Sequence, residues 1–115
     1  MASSTTKKYT ASHKFARIAP RKARLVADMI RGKGIEDALA TLEFSPRRGA
    51  WFIKSVLRSA IANAEEANLD VGRLFVSESR VDEGPTIKRF QPKDRGRSHP
   101  IMKRTSHIHV AVDVR

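Results

Sequence analysis

The stretch Gly84 to Arg104, GPTIKRFQPKDRGRSHPIMKR, carries seven Lys or Arg against one acid and only four large apolar residues. It cannot be core, because burying unpaired charge costs more than Ile87, Phe90, Ile101 and Met102 return. Strand-like sequence flanks it, with Val76 and Val81 before and Ile108, Val110, Val112 and Val114 after. Two such runs, joined through the turn residues Pro92, Asp94 and Gly96, predict a hairpin whose arms continue beyond the domain. An arm of about ten residues reaches roughly 30 Å. Alone in water the ribbon is marginal, since an isolated hairpin buries too little apolar surface to offset its ordering. A polyanion supplies the missing stabilisation. The bland alternative is a structureless basic loop, and long loops of that kind are uncommon in compact domains.

The 115 residues, 40% of them hydrophobic, leave room for one domain and one modest core. The formal charge of +11 is uneven: residues 1–34 sum to +8, residues 35–83 to −3 and residues 84–115 to +6. Two basic ends around a mildly acidic middle suit a face that neutralises phosphates, so nucleic acid is the default partner. An anionic membrane is the competitor, but a membrane-surface helix sets bulky apolar residues opposite its basic face, and the most basic segment here lacks helical patterning. No run approaches the roughly 20 apolar residues of a spanning helix. Residues 1–8, MASSTTKK, lack the apolar stretch of a secretory signal and read as a short disordered tail before a single domain over 9–115. With no cysteine the chain forms no disulfide and no thiolate metal site, which fits a reducing cytosol.

Along the chain, Tyr9 to Ala19 reads as extended, with Phe15 alternating among polar neighbours, and Pro20 fits the first turn of a helix. Within RKARLVADMIRGKG, Ala23, Val26, Ala27 and Ile30 recur at helical spacing, Arg21, Lys22, Arg24 and Arg31 fall largely elsewhere, and Gly32 and Gly34 stop the helix. A second short helix over Ile35 to Leu42 presents Ile35, Ala38, Leu39 and Leu42. Ser45 as N-cap and Pro46 in the first turn predict the longest helix, about Pro46 to Asn68, striped by Ile53, Val56, Leu57, Ala60, Ile61 and Ala64. Arg47, Arg48, Lys54 and Arg58 lie at its start and on its polar side, where phosphate and water are equal candidates. Strands follow at about Arg73 to Asp82 and Thr105 to Val114. The second alternates without fault, whereas Ser79 and Arg80 interrupt the first. The expected fold class is α+β: a small three-stranded antiparallel sheet packed on three helices, with residues 84–104 as a long protruding β-hairpin.

Enzyme chemistry finds little purchase. His107 and His109 share one face of a strand, but without further ligands they make no metal site. Asp82 and Glu83, neighbours on a strand, point to opposite sides, and GKG at 32–34 lacks the pattern of a phosphate-cradling loop. No cofactor is expected. Trp51 and Phe52 beside an apolar stripe are expected in the core rather than as base-stacking residues. Phe90, between Lys88, Arg89 and Lys93 in a segment without a core, is the better candidate to insert between nucleotides.

Four blocks, RKARLVADMIRGK, SAIANAE at 59–65, VDEGP at 81–85 and KRTSHI at 103–108, resemble the family of bacterial large-subunit ribosomal proteins numbered twenty-two, in its order and spacing, over roughly Ala11 to Arg115. The resemblance implies a small domain at the outer surface of the large subunit near the tunnel exit, with a long hairpin threaded through 23S-type rRNA. It implies a tip that lines the nascent-chain tunnel near a constriction shared with the fourth large-subunit protein. Carried onto this chain, Lys88, Arg89, Lys103 and Arg104 fall on the arms, and Lys93, Asp94, Arg95, Gly96 and Arg97 at or near the tip. The chain departs from the family at Asp94, an acid near a basic tip, and at Ser79 and Arg80, where an apolar pair is more usual.

The function expected is that of a non-catalytic, cytoplasmic constituent of the large ribosomal subunit that binds rRNA and organises its packing. The RNA-binding candidates are Lys14, Arg17, Arg21, Lys22, Lys88, Arg89, Phe90, Lys93, Arg95, Arg97, Lys103 and Arg104. The expected partners are rRNA, neighbouring ribosomal proteins and the nascent polypeptide, with no membrane. The rivals are a protein that coats DNA or RNA without preference and a small nuclease dependent on His107.

Overall fold

The helical stripes form the face on which the domain closes. In the computed structural model, which describes residues 9–93 and 97–114, with the backbone alone for 87–93 and 97–103, three helices pack on one side of a sheet. The expected tail over residues 1–8 and the tip residues Asp94, Arg95 and Gly96 lie outside the described residues. Helix α1 (Pro20–Ile30) begins on Pro20 and buries Ala23, Val26, Ala27 and Ile30. It ends at Gly32, whose φ of +83° suits a residue without a Cβ. Helix α2 (Ile35–Phe44) buries Ile35, Ala38 and Leu42, and α3 (Arg48–Glu66) buries its whole predicted stripe together with Phe52.

The start of α3 differs from expectation. Ser45 closes α2, its N–H bonded to the Leu42 carbonyl at 3.3 Å, and the helix begins after Arg47, the observed N-cap. Pro46 holds Ser45 out of the helical region and so ends α2 there.

The sheet has the order β1-β5-β2, all antiparallel, with β1 (Tyr9–Ala16), β2 (Leu74–Glu83) and β5 (Ser106–Val114). The α+β class and three-stranded sheet are as the sequence led one to expect. Ile108, Val110 and Val112 of the central strand point into the core, and His107 and His109 lie on the opposite face. The irregular apolar pattern of β2 has a geometric cause. Val76 pairs with Val112 and Glu78 with Ala111, so Ser77 is an extra residue and the inward parity flips there. Leu74 and Val76 face the core before the bulge, and Ser79 and Val81 after it.

The hairpin is formed by β3 (Ile87–Lys93) and β4 (Arg97–Lys103), in register from Ile87↔Lys103 to Lys93↔Arg97. It belongs to a separate two-stranded sheet and projects from the domain. The longest dimension is 64 Å and the radius of gyration 17.5 Å, against about 13 Å for a compact chain of this length. At its root the VDEGP and KRTSHI blocks face each other: Glu83 pairs with Ser106, the Gly84 N–H donates to the Thr105 carbonyl at 2.9 Å, and the Thr105 hydroxyl donates to the Pro85 carbonyl at 2.7 Å. The buried Ser106 hydroxyl donates to the Ile18 carbonyl at 2.6 Å, tying the root to the entry of α1.

Candidate nucleic-acid interface

Three chain reversals meet at one place: the passage from β1 to α1, the turn into α3, and the return of the hairpin into β5. Between them lies an open cleft of about 660 Å³, walled by Arg17, Lys22, Arg47, Arg48 and Arg104 over an apolar floor that includes Ile18 and Leu25. All five cations are exposed, and no acid lines the cleft. Among the described residues none of the five is in an ion pair. Close packing sets their spacing. A Cβ on Gly49 would stand 3.2 Å from Ile18 Cδ1 and 3.4 Å from Val26 Cγ2, so the first turn of α3 rests directly on α1. That contact sets Arg47 and Arg48 opposite Arg17 and Lys22. Both helices begin at the cleft without a side-chain cap, leaving amide donors and positive dipole ends on the same side as the cations.

Of the predicted RNA-binding residues, Arg17, Lys22 and Arg104 are brought together here, while Lys14 and Arg21 are exposed on β1 and α1 outside the cleft. Lys88, Arg89, Phe90, Lys93, Arg97 and Lys103 lie on the paired arms. Arg95, with Asp94 and Gly96, falls outside the described residues. Arg47 and Arg48, left undecided between phosphate and water by sequence, join the cleft. Their signal was the RRG run, in which a glycine permitting close helix contact follows two arginines at a helix start.

Other cations are committed elsewhere. Arg24 Nε donates to the Val81 carbonyl at 3.0 Å, and Arg31 donates to the Ser79 carbonyl and to Asp28, so both tie α1 to the edge strand β2. Lys54 pairs with Glu43 and, by hydrogen bond and charge, holds that carboxyl below the usual carboxylate range.

Trp51 and Phe52 part company. Phe52 is buried as expected, but Trp51 is 67% exposed, because one residue along a helix is a 100° turn that carries it off the apolar stripe. It touches Phe52 edge-on at 5.0 Å and flanks a shallow groove with Lys54 and Arg58. His107 and His109 do share the outer sheet face. His109 bonds Ser12 Oγ at 2.7 Å and lies 3.3 Å from Asp82, and His107 Nδ1 accepts the Phe15 N–H at 3.1 Å. Among the described residues no group of three His, Cys, Asp or Glu is placed to hold a metal, and no helix is long and apolar enough to cross a membrane.

The family model described as ribosomal protein L22p/L17e matches residues 11–113. The large ribosomal subunit protein uL22 of Ligilactobacillus salivarius is 56% identical over 106 residues, covering 91% of this chain and 92% of its own length. That of Lacticaseibacillus casei is 57% identical over 104 residues, with 90% and 89% covered. The more distant Desulfosudis oleivorans protein of the same name is 50% identical over 103 residues, covering 90% of each. These relatives are ribosomal proteins rather than enzymes, and with that breadth of match the chain belongs to the ribosomal protein L22p/L17e family of the large ribosomal subunit.

Proposed function

We propose that residues 9–115 act as one rRNA-binding unit that clamps segments of large-subunit rRNA between the basic cleft and the hairpin, and so fixes their packing. The observation that carries this is the set of five cations that line one cleft at the hairpin root, with no acid in its lining. Their mutual repulsion is relieved by a polyanion, and the two helix starts add neutral donors for phosphate oxygens. Charge contacts position without reading sequence, so selectivity comes from RNA shape and the fit of the arms. Lys88, Arg89, Phe90, Lys103 and Arg104 run along RNA on the arms. Lys93, Asp94, Arg95, Gly96 and Arg97 line the nascent-peptide tunnel, beside the fourth large-subunit protein. Family membership supports this part of the reading.

The test is binding of transcribed large-subunit rRNA across a salt series, comparing the full chain with an Arg17→Ala/Arg48→Ala variant. Loss of two phosphate contacts lowers the salt slope by about 1.4 to 1.8. An unchanged slope removes the cleft from the interface. Equal affinity for unrelated RNAs, undiminished by deletion of residues 85–102, favours a coating protein instead.

A further inference from the structure

Between His13, which pairs with Ile108, and Ala16, which pairs with Ser106, strand β1 bulges. At the bulge Phe15 has φ of +60°, a region that bulky side chains rarely enter. Such strain persists only where the surroundings over-determine it, and it concentrates where a residue is held ready for a ligand. Here the restraints are plain. Ladder pairs fix the backbone on both sides, and the Phe15 N–H donates to His107 Nδ1 at 3.1 Å. The Phe15 ring stands edge-on to the His107 ring, 4.9 Å between centroids at 86°.

The strain does not serve burial, since Phe15 remains 59% exposed. Its neighbours across the outer sheet face are polar: Ser12, His107, His109, Arg80 and Asp82. A protein hot spot is a cluster of packed, desolvated side chains, whereas an unpaired base needs one aromatic face with cations nearby. The cations are present. Lys14 and Arg17 flank Phe15 in sequence, both exposed, and Arg17 is also a wall of the basic cleft. Two residues of chain span at most about 7 Å, so a strand whose phosphate meets Arg17 brings its base within reach of the ring. The acid nearest in register, Asp82, is engaged by Arg80 and His109, each at 3.3 Å.

We infer that Phe15 is a stacking site for an unpaired nucleobase of large-subunit rRNA, held out by a strained bulge at the foot of the hairpin. This rests on the RNA interface proposed above and gives it a base-contacting residue that phosphate contacts alone do not supply. The experiment uses the full chain and transcribed large-subunit rRNA at fixed salt. Glycine accepts the backbone angle, so Phe15→Gly keeps the fold while affinity falls by about five- to 150-fold, the range for one lost base–aromatic stack. The salt slope stays unchanged, because no charge is removed. Phe15→Trp retains affinity, and Phe15→Leu falls with the glycine variant. Wild-type affinity in the glycine variant, or in the leucine variant should the glycine variant melt early, overturns the stacking site. If the Arg17→Ala/Arg48→Ala variant weakens binding while Phe15 variants do not, the stacking proposal alone fails. If neither set weakens it, the RNA interface itself fails.

Discussion

Gly84 is where the domain releases the hairpin, and its replacement by alanine has a cost that follows from three distances. A Cβ there would lie 2.5 Å from Thr105 Oγ1, 3.2 Å from His107 Cε1 and 3.3 Å from the Thr105 carbonyl carbon. Thr105 cannot yield freely: it is 3% exposed, β-branched, and its hydroxyl donates to the Pro85 carbonyl at 2.7 Å. Rotating it away breaks that hydrogen bond, a net loss of about 1 kcal/mol, with a further penalty of about 1 kcal/mol or more if the carbonyl is left without a donor. Shifting the backbone instead incurs an overpacking strain of about 1–3 kcal/mol. Either route predicts a loss of about 2 kcal/mol for Gly84→Ala, read by urea denaturation followed by circular dichroism. In a Thr105→Ala background the obstructing oxygen is absent. The same glycine substitution then costs less, and the double-mutant cycle gives a coupling of about 1 kcal/mol or more. Equal costs in the two backgrounds would show that the Thr105 hydroxyl is not what makes position 84 intolerant of a side chain, and would refute the reasoning.

Ser79 is 1% exposed, and its hydroxyl is the one buried side-chain polar atom without a hydrogen-bond partner among the described residues. Ser79→Ala is therefore expected to raise the urea-unfolding free energy by about 1 kcal/mol, and a loss of stability would reveal a partner for the hydroxyl. Arg24→Ala strips the Val81 carbonyl of a donor and is expected to cost about 1–2 kcal/mol while leaving the salt slope of rRNA binding unchanged. A shallower slope would place Arg24 on a phosphate.

The three helices were legible because each carries an apolar stripe of the right period, and every residue named for the α1 and α3 stripes is buried. Strand β5 was legible for the same reason, its alternation being a direct image of one buried face. What period cannot convey is an inserted residue. Ser77 reverses the parity of β2, so a strand with a regular inner face reads as irregular. The bulge in β1 likewise turned an expected alternation around Phe15 into an exposed, strained residue. The start of α3 was less legible because Ser45 suits either role, helix stop or helix start, and in the structure it closes α2 while Arg47 is the N-cap of α3.

The candidate site was legible as charge but not as a division of that charge. Arg21, Lys22, Arg24 and Arg31 look alike in sequence, yet their angles around α1 give them different work. Arg24 and Arg31 are seven residues apart, two turns, and so share one side of the helix. Each follows directly after a residue of the buried stripe, Ala23 and Ile30, which sets them at the rim where a long side chain reaches back to the sheet. There the edge of β2 offers the carbonyls of Ser79 and Val81. Arg21 and Lys22 belong to the first turn, ahead of the stripe's main contact with the sheet, and remain exposed. Lys22 turns into the cleft beside Arg47 and Arg48, which themselves precede the α3 stripe. A cation at the rim of a buried stripe is thus drawn inward by edge carbonyls, and one at a helix start is left exposed in the cleft. The formal charge of +11 consequently overstates the charge the domain leaves free, since Arg24 and Arg31 are spent on carbonyls of β2 and Lys54 on Glu43.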